Sequence, residues 1–321
     1  MGGDRKKVSE KVKPTRYPVI IILGPTGVGK THVAFGLAKM CNGEIVSADS
    51  RLVYKMMDIG TAKPDKRMQR EVPHHLIDVV MPDEQYTCKR FEMEARQKIE
   101  EILQRHHVAI VVGGSGLYVR ALVDGIFEGA GSSAEIRDRL RHLARQHGTR
   151  YLWEKLRHLD PEKARKIDPN NTIRIIRALE VCQLSGKPMS EIEQRRSPLS
   201  RPYLKVGLTR QRKELYTLIE ERVDRMIKIG FLDEVRTLID MGFASATAVQ
   251  NTLGYKHLLL HLQGDLSLED AIRLIKRDTR RFAKRQMTWF RKERNVHWLD
   301  ITGEKDHREI AERIYKKWLA P

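Results

Sequence analysis

The hydrophobic pattern opens with five consecutive apolar positions, Val19-Ile20-Ile21-Ile22-Leu23, with no polar alternation. A run that is apolar at every position reads as a parallel strand buried on both faces. Gly24 to Thr31 follow as a turn, after which Val33, Ala34, Leu37 and Ala38 take helical spacing. The same order continues. Glu44 to Ser47 reads as a short strand, and His74-His75-Leu76-Ile77-Asp78 leads into a further strand-like run. Phe91, Ala95, Ile99 and Leu103 mark one face of a helix, and Val108 to Val112 is another buried strand. Strands alternating with helices predict an α/β core with a doubly wound parallel sheet.

The pattern changes near Gly125. From Ser132 to Leu199 no buried strand run occurs, and the helical stretches are short and rich in arginine. A capping box from Ser132 to Glu135 predicts one helix, with Ile136, Leu140 and Leu143 facing inward. Asp168 to Pro188 gives another, with Ile173, Ile176, Leu179 and Val181 as its apolar positions. Leu204 to Leu208 restores a strand, and one helix then carries Ile219, Val223, Met226 and Ile227 as its core stripe. Ala271 to Asn295 reads as a long basic helix. The expected division is a disordered basic tail over 1–16, a first core segment over 17–125, a helical insertion over 126–200, and core completion with C-terminal helices over 201–321.

Charge adds a partner to this picture. The 321 residues include 60 Lys+Arg against 42 Asp+Glu, a net charge of +18 that suits a polyanion such as nucleic acid. In the long helix, Arg273, Arg277, Arg280 and Lys284 recur as one basic face. Like charges at i,i+4 destabilise a helix unless an anion neutralises them, and RNA phosphate is the economical candidate. Arg277 and Arg281 are therefore candidate RNA contacts, as are Arg174 and Arg177, which stand three apart in the insertion. Cys41, Cys88 and Cys182 are too dispersed for a disulfide framework or a metal knuckle, which fits a reducing cytoplasm. His74 and His75 lack surrounding ligands and read as structural. No uninterrupted apolar segment reaches the length of a membrane span, so no membrane partner is expected.

Candidate chemistry begins where the first strand ends. Gly24-Pro25-Thr26-Gly27-Val28-Gly29-Lys30-Thr31 matches G-x-x-x-x-G-K-[ST] between a strand and a helix. Glycines permit close backbone approach to a phosphate chain, and N–H groups converge on it at the helix N-terminus. Lys30 would add positive charge, and Thr31 would offer its hydroxyl to magnesium. Asp49 and Ser50 stand at the end of the second strand, where open α/β sheets bind ligands. Asp49 reads equally as a catalytic carboxylate or as an Asx turn. Asp58, Gly60, Thr61, Lys63 and Pro64 follow in a turn-rich loop, and Gly113-Gly114-Ser115-Gly116 brings a second bare backbone surface to the same side. A small-molecule kinase or a noncatalytic RNA-binding protein could carry some of these features. The arginine-dense insertion gives a kinase nothing to bind, whereas loss of the Asp49 carboxylate would leave a noncatalytic protein unchanged.

With these segments in order, "GPTGVGKT", "SADSRLVYKMMDIGTAKP", "HHLID", "VGGSGLYVRAL", "NTIRIIRALEV", "LGYKHL" and "KRQMTWFRKE", the chain resembles the bacterial tRNA dimethylallyltransferases over almost its full length. The resemblance implies a P-loop NTPase-like core with an inserted all-α domain. It also implies transfer of a dimethylallyl group from its diphosphate to N6 of the adenosine beside the anticodon, with magnesium as cofactor. By matching position, the P-loop would hold an isoprenoid diphosphate rather than ATP. Asp49 would be the general base, Lys30, Thr31 and Arg222 the diphosphate grip, and Ser50, Arg51 and Leu52 contacts to the flipped adenosine and its neighbours. Ser115, Arg137 and the run Ile173-Arg174-Ile175-Ile176-Arg177 would be tRNA contacts, and a monomer is expected. Leu52 stands where many members carry glutamine, Ser115 replaces the commoner threonine, and Asp168-Pro169-Asn170-Asn171 replaces His-Pro-Asn-Asp.

Overall fold

The computed structural model describes residues 18–126, 131–193 and 197–320; the expected basic tail lies outside them. Six strands form one parallel sheet: β1 (Val19–Leu23), β2 (Gly43–Ser47), β3 (His74–His75), β4 (Val108–Gly113), β5 (Tyr203–Thr209) and β6 (Val296–Asp300). Their order across the sheet is β3-β2-β4-β1-β5-β6. In register, Leu23 of β1 faces Gly113 of β4 and Gly207 of β5, while Ser47 of β2 faces Val112. The turns leaving β1, β2 and β4 therefore emerge side by side at the carboxyl end of the sheet, where such sheets bind ligands.

Burial explains the strands. Every residue of β1, β2 and β4 is buried, as expected for strands covered by helices on both faces. The phosphate-loop helix Lys30–Cys41 packs Val33, Ala34 and Leu37 into one cluster with Ile20, Ile22 and Ile110. The C-terminal helix His307–Leu319 adds Ile310, Ile314 and Trp318 to that cluster.

The expected doubly wound core is present, with differences of local origin. β6 adds to the expected strands: its sequence VHWLD is only half-buried at the sheet edge and gives no apolar run. The single helix expected around Ile219 is two, Arg212–Lys228 and Phe231–Asp240, parted at Gly230 with φ 103°. The basic helix spans Leu268–Phe290 and stops short of Asn295. In the insertion the helix cap is Ser133, whose hydroxyl accepts the Ile136 N–H at 3.2 Å, one residue later than the capping box placed it.

The chain divides into two compact units, Met1–Leu122 with Ser200–Pro321, and Val123–Leu199. The second is all-helical, with Leu140, Leu152, Leu156, Ile175, Ile176 and Leu179 in its core. No helix among the described residues is long and apolar enough to cross a membrane.

Candidate active site

The phosphate loop is shaped by left-handed backbone at Gly27 (φ 82°) and Gly29 (φ 107°), the latter capping the helix that starts at Lys30. Lys30 Nζ donates to the Pro25 carbonyl at 2.8 Å, folding the ammonium over its own loop. Withdrawal from solvent lowers Lys30 to about 8, with Asp49 opposing the fall and Arg222 adding to it. Arg222 Nη2 donates to Thr26 Oγ1 at 2.7 Å. Burial lowers its guanidinium as well, against the opposing charge of Asp49. Its buried Nε has no hydrogen-bond partner among the described residues. A carboxylate, an ammonium and a guanidinium from three separate elements thus share one electrostatic neighbourhood, and the two cations have donors to spare for an anion.

Asp49 follows β2. Its Oδ1 accepts the Arg51 N–H at 2.8 Å, so the Asx turn is real, and it leaves the second carboxylate oxygen for other use. Ser50 N–H donates to Ser115 Oγ at 2.9 Å, and that hydroxyl lies 3.2 Å from Ser50 Oγ. The turns after β2 and β4 are joined at the two serines. Tyr118 packs its ring on Phe91 at 4.1 Å behind them, and burial raises its phenol, with Asp49 among the charges that add to the shift.

Thr31 makes no side-chain hydrogen bond among the described residues. No group of three or more His, Cys, Asp or Glu side chains placed to hold a metal ion occurs there either. The Thr31 hydroxyl at the start of the loop helix is an oxygen donor of the kind a hard cation such as magnesium accepts.

Several positioning residues carried no sequence-level assignment. Glu234 accepts three successive backbone N–H groups, from Asp58 at 2.8 Å, Ile59 at 2.7 Å and Gly60 at 3.1 Å, and takes the Tyr255 hydroxyl at 2.6 Å. Lys63, almost fully buried, reaches Tyr54 O at 2.6 Å and both Asp58 and Asp78 at 2.5 Å. Together they anchor the loop that follows Asp49-Ser50-Arg51. Arg210, just past β5, donates to the carbonyls of Val28 at 3.3 Å, Ile301 at 2.6 Å and Glu304 at 2.8 Å, and pairs with Glu214. Gln286 bridges two of the turns. With Thr279 it is one of two polar residues in the buried stripe Ala271, Ile275, Thr279, Ala283, Gln286, Phe290.

The remaining candidate contacts fall into two groups. In the helical unit, Ile173 is 83% exposed and Arg174 is exposed, whereas Ile175 and Ile176 turn into the core and cannot present their side chains to RNA. Arg137 and Arg177 both pair with the buried Glu180, at 3.0 and 2.7 Å. On the long helix, protein carboxylates rather than an external anion neutralise much of the basic face. Arg273 pairs with Asp270, Lys276 with Asp224, Arg280 with Glu220, and Arg277 and Arg281 with Asp278. Arg277 first and His257 next hold Asp278 down to about 2 despite its burial. Lys284 and Arg285 make no ion pair among the described residues, and with Arg281 and Thr288 they line a concavity of about 350 Å³.

The sheet order, the glycine loop after a central strand and the carboxylate near it define an α/β protein of the P-loop-like fold with an acidic group beside that loop. A sequence model of the IPP transferase family matches residues 52–293. Proteins named tRNA dimethylallyltransferase from Acetivibrio thermocellus and Carboxydothermus hydrogenoformans are 44% and 46% identical, covering 93% and 92% of this chain and 95% and 96% of their own. The crystal structure of the full-length tRNA isopentenylpyrophosphate transferase from Bacillus halodurans superposes with a TM-score of 0.67 at 40% identity, over 94% of this chain and 96% of that one. A eukaryotic dimethylallyltransferase described as acting on tRNA gives 0.78 at 29% identity, over 92% of this chain and 77% of its own. The chain belongs to the IPP transferase family.

Proposed function

We propose that this protein transfers a dimethylallyl group from dimethylallyl diphosphate to N6 of the adenosine beside the anticodon of a tRNA. The convergence of Asp49 with Lys30 and Arg222 carries the reading, because transfer to an amine needs a proton acceptor next to a charged leaving group. The nitrogen attacks C1 of the dimethylallyl group, the C1–O bond breaks, and its electron pair leaves on diphosphate. The proton released from N6 passes to the Asp49 carboxylate, which remains free at one oxygen after its Asx turn. Loop amides from Gly27 to Thr31, the Lys30 ammonium and the Arg222 guanidinium meet the charge gathering on the leaving oxygens. Thr31 would hold magnesium, which supplies further positive charge beside the phosphates when bound.

An adenine must leave its stack to reach such a crevice, and Ser50, Arg51, Leu52 and Ser115 line the approach on the Asp49 side. Leu52 is half-buried and offers an apolar surface to the base. Exposed Ile173 and Arg174, and the concavity at Arg281, Lys284 and Arg285, are the proposed RNA surfaces. Every group named comes from one chain, so a monomer suffices for the chemistry. Incubation of unmodified tRNA with dimethylallyl diphosphate and magnesium, followed by nucleoside mass analysis, should yield N6-dimethylallyladenosine. An unmodified nucleoside pool, or transfer to AMP and not to tRNA, refutes the assignment.

A further inference from the structure

Gln286 lies on the inner face of the long helix Leu268–Phe290 and is 7% exposed. The two ends of its carboxamide serve two different turns. Oε1 accepts the Thr26 N–H at 2.8 Å, and Nε2 donates to the Gly114 carbonyl at 2.8 Å. Thr26 belongs to the phosphate loop after β1, and Gly114 to the turn after β4, its hydrogen-bonded neighbour in the sheet. One side chain therefore ties the diphosphate cradle to the turn that, through Ser115 and Ser50, adjoins Asp49.

The surroundings are built for this contact. A Cβ on Gly114 would lie 2.5 Å from Gln286 Nε2, so a side chain there would push the amide from its place. Three residues along the same helix face, Trp289 lies against Gly116, where a Cβ would come within 2.3 Å of the indole. The Arg120 guanidinium covers that indole at 4.6 Å and pairs with Glu293 at 2.7 Å. Thr26 is held from its other side by Arg222.

We propose that Gln286 is a positioning residue for the transfer reaction: it sets the separation between the diphosphate cradle and the carboxylate-bearing side of the crevice. The inference rests on the function proposed above. A carboxamide is suited to the place because it joins a neutral donor and a neutral acceptor in one plane. A glutamate there keeps the acceptor for Thr26 N–H but turns a second oxygen toward the Gly114 carbonyl. A methionine keeps the volume and supplies neither strong bond. Each substrate is gripped on one side of the bridge, so loosening it leaves separate binding little changed and lowers the rate within the assembled complex. Small misplacements of reacting groups cost as much as about 100-fold in rate.

The test uses Gln286→Glu and Gln286→Met in the full chain. Three quantities are compared with the parent: the single-turnover transfer rate, the separate affinities for dimethylallyl diphosphate and tRNA, and amide hydrogen exchange over residues 24–31 and 113–117. The proposal expects a rate loss of about 10- to 100-fold, near-parental affinities, and faster exchange confined to those two segments. A parental rate overturns it. So does a rate loss matched by an equal loss of diphosphate affinity, or exchange that stays parental in both segments. Should Gln286→Met not fold, the isosteric Gln286→Glu gives the same readings. If the parent itself transfers no dimethylallyl group, the function fails, while the exchange measurement still decides whether the bridge holds the two turns together.

Discussion

Arg222 Nη2 donates to Thr26 Oγ1 at 2.7 Å, which fastens the helix Arg212–Lys228 to the phosphate loop and leaves a buried Nε without a partner among the described residues. In the function proposed above, this free, desolvated donor beside the glycine loop would receive a leaving-group oxygen. Replacing Arg222 by alanine is expected to lower kcat/KM for dimethylallyl diphosphate by roughly 10²- to 10³-fold, the usual cost of one such donor. Arg222→Lys should recover only part of this, because an ammonium cannot hold Thr26 and a phosphate oxygen in one plane. Steady-state kinetics with saturating tRNA would read the loss; parental kinetics in Arg222→Ala would remove this residue from the grip.

Asp49→Asn separates the two roles of that side chain. Asparagine keeps the acceptor that bonds the Arg51 N–H, so the turn survives while the base is lost. Transfer should fall by roughly 10²- to 10⁴-fold with tRNA affinity little changed. Rapid transfer in this variant would show that the carboxylate serves the turn alone.

Lys30 gives the site a pH dependence on the alkaline side. Its free-state value of about 8 means the ammonium is charged below that pH and is lost above it. A bound diphosphate favours the charged form, so affinity for dimethylallyl diphosphate should be flat below pH 8 and fall above it, by at most about tenfold per pH unit. Calorimetry above pH 8 in buffers of different ionisation enthalpy should register proton uptake that Lys30→Met abolishes. Proton uptake persisting in Lys30→Met would assign the titration elsewhere.

At the opposite end of the sheet, Glu44 is buried and accepts from Arg105 at 2.8 Å, His75 at 2.6 Å and His107 at 2.7 Å. Burial would raise its carboxyl, but these hydrogen bonds outweigh it and hold the group at about 2, below its ordinary 4.5. The stability this confers is complete above pH 4.5 and is lost as pH falls from there through 2. Glu44→Gln should cost on the order of 3 kcal/mol near neutral pH and progressively less below pH 4.5. Urea unfolding of both proteins at pH 7 and pH 3 checks this; an equal penalty at both values would assign the loss to packing.

Charge reversal at Lys284 and Arg285, the cations around the concavity that have no carboxylate partner among the described residues, should weaken tRNA binding and flatten its salt dependence. Reversal at Arg277, already paired with Asp278 at 2.9 Å, should do less. Filter binding across a salt series distinguishes the two, and equal effects would refute the ranking.

Legibility followed physical range. The strand Val19–Leu23, the glycine loop and the helix Lys30–Cys41 were readable because each depends on residues adjacent in sequence. The family strings reached the glycine loop together with Asp49 and Ser115, whereas Arg222, assigned by matching position, lies outside every one of them. The basic helix was readable as a helix, but not in its charge balance: Glu220 and Asp224, which neutralise Arg280 and Lys276, lie more than 50 positions away. The burial of Ile175 and Ile176 likewise follows from which helices surround them, which periodicity alone leaves ambiguous.

By itself the sequence determined the local pieces: where backbone turns bare, where a carboxylate ends a strand, and where cations gather. Tertiary structure decided which pieces meet. The chain visits β1, β2, β3 and β4 in turn, yet β4 inserts between β1 and β2, and only that order sets the three turns side by side. Gln286 joins Thr26 across 260 positions and Gly114 across 172, and Glu234 reaches Ile59 across 175. Contacts of that span arise when burial of the sheet and its helices brings distant segments together, so no local pattern announces them.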